Sequence, residues 1–131
     1  MPDTGRGYVS YLPPGPLPPY VKLEEDGTFM ITPGTEINCF YHDCTLEVAA
    51  WAAKQVRPQS QSVLQSAITK ASWRSKPSTF ILTKQDRVLP PDMLRQFAGQ
   101  ATNTVEIDSS HSPMLSKPSR LAELLISAAA A

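Results

Sequence analysis

Two residues of types that cooperate in acid–base catalysis, Asp86 and His111, stand in the second half of the sequence. Each follows a short apolar run that is typical of a buried strand, so both are expected where strands end. A carboxylate held against one imidazole nitrogen fixes the tautomer of the ring, and the other nitrogen can then act as a general base. The alternative is that Asp86 caps a loop and His111 is an ordinary surface histidine, but their equivalent positions favour the catalytic interpretation.

A strand–helix–strand pattern surrounds this pair. The apolar run Phe80–Leu82 precedes the acid, and a second run, Thr104–Ile107, precedes the histidine. Between them Pro90 and Pro91 start a helix that Gly99 is expected to end. A unit of this kind makes two parallel strands with a right-handed crossover, and open α/β sheets place their sites at the carboxyl ends of such strands. The helix turns a set of apolar residues to one side: Leu94, Phe97 and Ala98.

The two segments ILTKQDRVLPP and VEIDSSHSPMLSKPSRLAELL resemble the carboxyl-terminal part of the α/β-hydrolases. The resemblance is greatest to the branch of small esterases that includes plant methylesterases and hydroxynitrile lyases. It implies that Asp86 and His111 are the second and third members of a Ser–Asp–His triad. It also implies the fold class, which is α/β: a partial α/β-hydrolase fold with the last two parallel strands, their flanking helices and a small cap region.

The residues before this unit predict smaller elements. Apolar and polar residues alternate on both sides of an Asp-Gly turn dipeptide in residues 21–31, which favours a hairpin. A helix is predicted within residues 40–56, with Asp43 or Thr45 as its cap. We expect Trp51 on that helix to be packed in the core or in the cap.

The resemblance divides the chain into two regions. Residues 1–76 are expected to form a loop and cap region, because the family places its small cap before the last two strands. Residues 77–131 are expected to form the carboxyl-terminal βαβα part of the hydrolase core. The first residues, Met1–Gly5, resemble the loop that follows the sixth strand of the family's sheet.

The nucleophile of such an enzyme is not found among these residues. An α/β-hydrolase carries its serine in a strand-to-helix elbow, usually G-x-S-x-G. No glycine stands two positions from a serine anywhere in the 131 residues. Cys39 and Cys44 lack the glycine setting of an elbow and fall in the expected cap. The chain on its own is therefore expected to be inactive toward esters.

Three interpretations remain open on the sequence alone. The chain is the carboxyl-terminal part of a complete serine hydrolase, or one part of a split enzyme, or a non-catalytic relative that binds a small molecule or a partner. We favour the first, because residues 1–8 resemble a loop inside a domain and because Asp86 and His111 would have no use in a binding protein.

Ester hydrolysis is the favoured chemistry, and hydroxynitrile lyase chemistry is the alternative. Hydroxynitrile lyases of this branch carry a lysine directly after the triad histidine. Ser112 occupies that position here, which favours an esterase acting on a small hydrophobic ester.

A cluster of possible metal ligands lies at the start of the predicted helix: Cys39, His42, Asp43 and Cys44. A structural zinc site requires four ligands in paired spacings, and no second pair occurs. The alternative is the beginning of a helix with half-buried cysteines, and we favour it. The sequence thus predicts neither a metal nor a cofactor, and it predicts free thiols because no secretory signal is evident.

Composition limits the classes of partner. Lys and Arg total 12, Asp and Glu also total 12, and the formal net charge is zero. This balance predicts no nucleic-acid partner, and the absence of an apolar run near ~20 residues predicts no membrane span. Because neither a secretory signal nor a membrane span is evident, the sequence predicts a cytoplasmic protein. Because the resemblance covers only the carboxyl-terminal half of the family, we also expect the chain to pair with a missing amino-terminal half or to form a homo-oligomer.

Overall fold

The computed structural model describes residues 1–130, and a two-stranded parallel sheet lies at its centre. Strand β4 (Thr79–Thr83) pairs with strand β5 (Asn103–Ile107) in a parallel register that joins Thr79 to Asn103 and Thr83 to Ile107. Helix α4 (Pro91–Ala98) connects the two strands. The predicted strand–helix–strand unit is therefore confirmed, and both strands end at the same edge of the sheet.

Helix α4 is amphipathic and covers this sheet. Its first residue is a proline, which suits the first turn because the N–H group it lacks would be unpaired there. Gly99 ends the helix as predicted, with a right-handed φ of −66°. The ring of Phe97 meets the ring of Tyr11 edge-on, with centroids 5.2 Å apart. The three residues that the spacing predicts, Leu94, Phe97 and Ala98, are buried, and so is Met93.

Two helices follow β5. Helix α5 (Pro113–Ser116) is a single turn, and helix α6 (Pro118–Ala129) runs back along the sheet and contacts β5. Leu124 is the buried residue of α6, whereas its neighbour Leu125 is 54% exposed. The last helix therefore packs on the sheet.

A small antiparallel sheet precedes the parallel one. Strands β1 (Val21–Leu23) and β2 (Thr28–Ile31) form the predicted hairpin, and Gly27 turns it with a φ of +81°. A third strand, β3 (Gln59–Ser60), pairs with β2 and was not predicted. The two residues of β3 are exposed and polar and show no strand periodicity, so the strand is defined only by its pairing with β2.

The helix predicted within residues 40–56 is helix α2 (Leu46–Ala53), and a short helix that was not predicted, α1 (Glu36–Phe40), precedes it. Thr45, one of the two predicted caps, caps α2 by accepting a hydrogen bond from the Val48 amide at 3.4 Å. The expectation that Trp51 is packed is wrong, because this side chain is 57% exposed.

The orientation of α2 explains the exposure of that tryptophan. Ala49 and Ala52, which are 1% and 3% exposed, form its inner face, and position 51 falls on another side of the helix. Short elements complete the fold: helix α3 (Ser62–Gln65) and 3₁₀ turns at Tyr8–Tyr11 and Ser72–Arg74.

The first residues are held against the segment that leads into β4. The amide of Gly5 donates to the carbonyl of Ile68 at 2.9 Å, and the indole of Trp73 donates to the carbonyl of Pro2 at 3.0 Å. Gly7 lies directly against the backbone of Gln65, where a Cβ atom would come within 2.5 Å of the carbonyl oxygen. Among residues 1–130, the helices are all too short or too polar to cross a membrane.

Candidate active site

Asp86 lies just beyond β4 in a tight loop that satisfies both of its carboxylate oxygens. Oδ1 accepts the backbone amides of Val88 and Leu89 at 2.8 and 3.0 Å. Oδ2 accepts the hydroxyl of Thr83 at 2.9 Å and lies 2.9 Å from Nδ1 of His111. The carboxylate is 2% exposed, so four hydrogen bonds replace the water that it has lost.

These contacts decide the charge of the carboxylate. Burial raises the pKa of Asp86, but the hydrogen bonds from His111, Leu89 and Val88 outweigh burial and lower the pKa to about 2. Asp86 is therefore ionised at neutral pH. An ionised carboxylate only accepts hydrogen bonds, so the proton between the two residues lies on Nδ1 of His111.

His111 lies beyond β5, at the same edge of the sheet, and its side chain is 32% exposed. One edge of the ring faces Phe40, with centroids 5.4 Å apart and planes at 80°. Within residues 1–130, the Nε2 atom makes no hydrogen bond. With Nδ1 bonded to Asp86, Nε2 is the ring nitrogen that is left to act as a general base.

Asp108 is a second possible acid, since it stands three residues before His111 in the sequence. Its Oδ1 atom instead accepts the side-chain amide of Gln85 at 2.8 Å. The geometry thus brings Asp86, and not Asp108, to the histidine.

The loop between α1 and α2 also reaches this edge of the sheet, which the sequence did not predict. The ring of His42 donates from Nε2 to the carbonyl of Gln85 at 2.9 Å, and Asp43 accepts the amide of Ser110 at 2.9 Å. Within the described chain, no three His, Cys, Asp or Glu side chains converge as metal ligands. Cys39 and Cys44 are free thiols, the first of them buried.

Comparison with known proteins gives the class to which this fold belongs. The sequence profile of the alpha/beta hydrolase family matches residues 2–124, and the chain belongs to that family. The partial α/β-hydrolase fold predicted from the sequence is thereby confirmed.

One curated relative is the alpha/beta hydrolase nvfD of Aspergillus novofumigatus, which is 23% identical over 130 residues. The alignment covers 96% of this chain and 52% of that protein. The chain therefore spans about half the length of the curated relative it matches.

Solved structures of esterases and hydrolases share the fold. Polyneuridine aldehyde esterase is 20% identical with a TM-score of 0.73, over 97% of this chain and 58% of that one. A pyrethroid hydrolase from Sphingobium faniae is 20% identical with a TM-score of 0.75, over 99% and 57%. A methylesterase from Arabidopsis is 21% identical with a TM-score of 0.66, over 79% and 47%.

Proposed function

We propose that this chain is the carboxyl-terminal part of a serine hydrolase that cleaves small hydrophobic carboxylic esters, with Asp86 and His111 as its acid and base. The observation that carries the proposal is the 2.9 Å contact between Asp86 Oδ2 and His111 Nδ1, which leaves Nε2 of the ring without a partner. A buried anion, an oriented imidazole and an accessible nitrogen are the features that activate a serine.

In each half of the reaction His111 first takes up a proton and then gives it back. His111 Nε2 takes the proton of the serine hydroxyl as the oxygen attacks the ester carbonyl, and then gives that proton to the departing alcohol. Water hydrolyses the acyl-enzyme by the same route. Asp86 stays ionised throughout and stabilises the imidazolium that forms in each step. The serine and the oxyanion hole come from residues other than these 131, since no G-x-S-x-G occurs among them.

The relatives support this division of labour. The chain spans about half of each solved hydrolase, and the names of those proteins include an aldehyde esterase, a pyrethroid hydrolase and a methylesterase. On this proposal residues 1–76 supply the loop and cap that cover the substrate, and residues 77–131 supply the last strands of the core. The proposed partner is the amino-terminal half of the fold or a second copy of the chain, in a cytoplasmic protein.

A binding protein without catalysis is the second candidate, and the missing serine elbow favours it. It predicts that the chain binds a small ligand in the cap and that His111→Ala leaves the affinity unchanged. Hydroxynitrile lyase chemistry has less support, because Ser112 follows the histidine and is 7% exposed.

The test uses the complete protein, which here means the product of the whole open reading frame that encodes these 131 residues. Its activity is measured with p-nitrophenyl acetate and butyrate, and separately as cyanide release from mandelonitrile. We expect ester cleavage that falls by about 10⁴-fold in Asp86→Asn, because the wrong tautomer of the base is then favoured.

Asp108→Asn is the matched control, since it removes the carboxylate three residues before His111 and should keep the activity. The proposal is contradicted if the complete protein contains no serine elbow and cleaves no ester. Cyanide release without ester cleavage would assign the lyase chemistry instead.

A further inference from the structure

Ser110, the residue directly before His111, is locked in place by residues outside its own loop. It is fully buried, with 0% exposure. Its amide donates to Oδ2 of Asp43 at 2.9 Å, and its hydroxyl donates to the carbonyl of Phe40 at 2.9 Å. Its own carbonyl accepts the hydroxyl of Ser109 at 3.0 Å. The backbone that carries the histidine is therefore fixed by a segment 67 to 70 residues earlier in the chain.

The carboxylate of Asp43 holds the backbone next to His111 in position. Burial raises its pKa, but hydrogen bonding from Ser110 outweighs burial, so the pKa of Asp43 is lowered and the group is an anion. Its second oxygen, Oδ1, is buried and makes no hydrogen bond of good geometry among residues 1–130, although the hydroxyl of Ser116 also lowers the pKa of this carboxyl. An unpaired buried oxygen costs stability. Holding the amide before the histidine in position explains why a carboxylate stands there.

Phe40 contacts the imidazole itself. Its ring meets the ring of His111 edge-on with centroids 5.4 Å apart, and it also meets the ring of Tyr20 edge-on with centroids 6.3 Å apart. The same residue thus holds Ser110 by its backbone and the histidine ring by its side chain. This limits the rotation of the imidazole away from its acid.

The same segment, residues 38–43, also contacts the loop that carries Asp86. Nε2 of His42 donates to the carbonyl of Gln85 at 2.9 Å, and the guanidinium of Arg87 donates to Oδ1 of Asn38 at 2.6 Å. Gln85 and Arg87 are the two neighbours of Asp86 in the chain. One short segment therefore contacts the residues next to both members of the pair.

We propose that the segment Asn38–Asp43 is a positioning element that holds Asp86 and His111 in hydrogen-bonding register, with Asp43 and Phe40 as its main contacts. This inference rests on the proposed function of the pair. The segment connects the hairpin to α2 in the region proposed as the cap. A displacement of this region would therefore be transmitted to the histidine, and the register of the pair depends on the cap being seated.

The test is the NMR spectrum of the complete protein labelled with ¹⁵N-histidine, with His111→Gln used to assign the ring signals. We expect the wild type to show a protonated Nδ1 and an unprotonated Nε2, with a hydrogen-bonded Nδ1 proton that exchanges slowly. Asp43→Ala should broaden or abolish that proton signal and mix the two tautomers. Asp43→Asn should restore it, because the side-chain oxygen of asparagine still accepts the Ser110 amide.

The matched control is Asp26→Ala, which also removes a carboxylate that accepts a backbone amide, that of Thr28 at 2.9 Å, in the distant hairpin turn. It should leave the signals of His111 unchanged. In the complete protein, Asp43→Ala should lower kcat by about 10- to 100-fold with little change in KM, as misplacement of a catalytic group does.

A wild-type His111 spectrum in folded Asp43→Ala would overturn the proposal, as would an equal change in Asp26→Ala. If Asp43→Ala does not fold, Phe40→Leu is the deciding variant, because it removes the contact with the His111 ring but keeps the carbonyl that binds Ser110. An unchanged His111 spectrum in Phe40→Leu would also overturn the proposal. A normal His111 signal in a protein without esterase activity would contradict the proposed function and leave this inference intact.

Discussion

The Nδ1 atom of His111 lies 2.9 Å from Oδ2 of Asp86, although 25 residues separate them in the chain. The contact exists because β4 and β5 run parallel and in register, so that the residues beyond Thr83 and Ile107 meet at one edge. It is the relationship from which the proposed chemistry and several measurable properties follow.

Acid should weaken the fold through Asp86. Its pKa of about 2 lies below the value of about 3.9 in an unfolded chain, so its contribution to stability is full above pH ~4 and is lost as the pH falls toward 2. The contribution is on the order of 2 kcal/mol. In urea titrations of the complete protein, Asp86→Asn should be less stable at pH 7 and should converge with the wild type near pH 2.

The exposed Asp92, at the start of α4, supplies the control for that titration. Its side chain is 94% exposed, so Asp92→Asn should cost less stability at pH 7 than Asp86→Asn. Curves for Asp86→Asn and wild type that stay parallel down to pH 2 would show that the acid-sensitive group lies elsewhere.

A methyl group at Gly7 should destabilise the protein. The added Cβ would lie 2.5 Å from the oxygen and 2.9 Å from the carbon of the Gln65 carbonyl, and backbone atoms cannot move aside cheaply. We expect Gly7→Ala to lower the free energy of unfolding by about 1–3 kcal/mol. Gly99→Ala is the contrast, because its Cβ would lie 3.5 Å from its nearest neighbour at a right-handed helix end.

For Gly99→Ala, we expect no loss and a gain of up to about 1 kcal/mol, since alanine restricts the unfolded chain. Thermal melts of the two variants side by side make the comparison. Equal effects would mean that the amino-terminal loop is not held against Gln65 as described.

Two adjacent leucines of α6 should differ sharply on truncation. Leu124 is 9% exposed and faces the protein, whereas Leu125 is 54% exposed. We expect Leu124→Ala to cost about 2–3 kcal/mol and Leu125→Ala less than about 0.5 kcal/mol. Chemical denaturation measures both. A larger loss of stability in Leu125→Ala would indicate that another part of the complete protein covers that face of the helix.

The 131 residues expressed alone should self-associate. In the described chain β4 and β5 pair only with each other, so the outer side of each strand carries backbone groups that no other strand pairs, and Phe80 and Leu82 are only half-buried. An open apolar edge recruits other chains. Sedimentation velocity over a range of concentrations should show growing oligomers, and ester hydrolysis should be absent. A monomer with a cooperative melt and inhibitor-sensitive esterase activity would contradict this expectation.

The parallel unit and its pair of candidate residues could be predicted because their signals are local. Apolar runs mark β4 and β5, proline and glycine mark the ends of α4, and parallel pairing then brings Asp86 to His111. Each step needs only neighbouring residues and a general rule of connection.

The missed features depend on partners that are distant in the chain. Strand β3 consists of two exposed polar residues and exists because β2 lies beside it. Asp43 was weighed as a helix cap or a zinc ligand, whereas its partner is Ser110, 67 residues away. Trp51 is exposed because Ala49 and Ala52 set the inner face of α2, and periodicity in a short alanine-rich helix does not fix that face.

The most direct measurement of the central claim is covalent labelling of the complete protein with a fluorophosphonate, followed by mass spectrometry of the labelled peptide. We predict that wild type is labelled on one serine within a G-x-S-x-G elbow, and that Asp86→Asn and His111→Ala slow the labelling by at least about 10³-fold, since the serine is then not activated. Asp108→Asn should label at the wild-type rate. Labelling of wild type and His111→Ala at the same rate, or no labelled serine in a folded protein, would contradict the assignment of Asp86 and His111 as the acid and base.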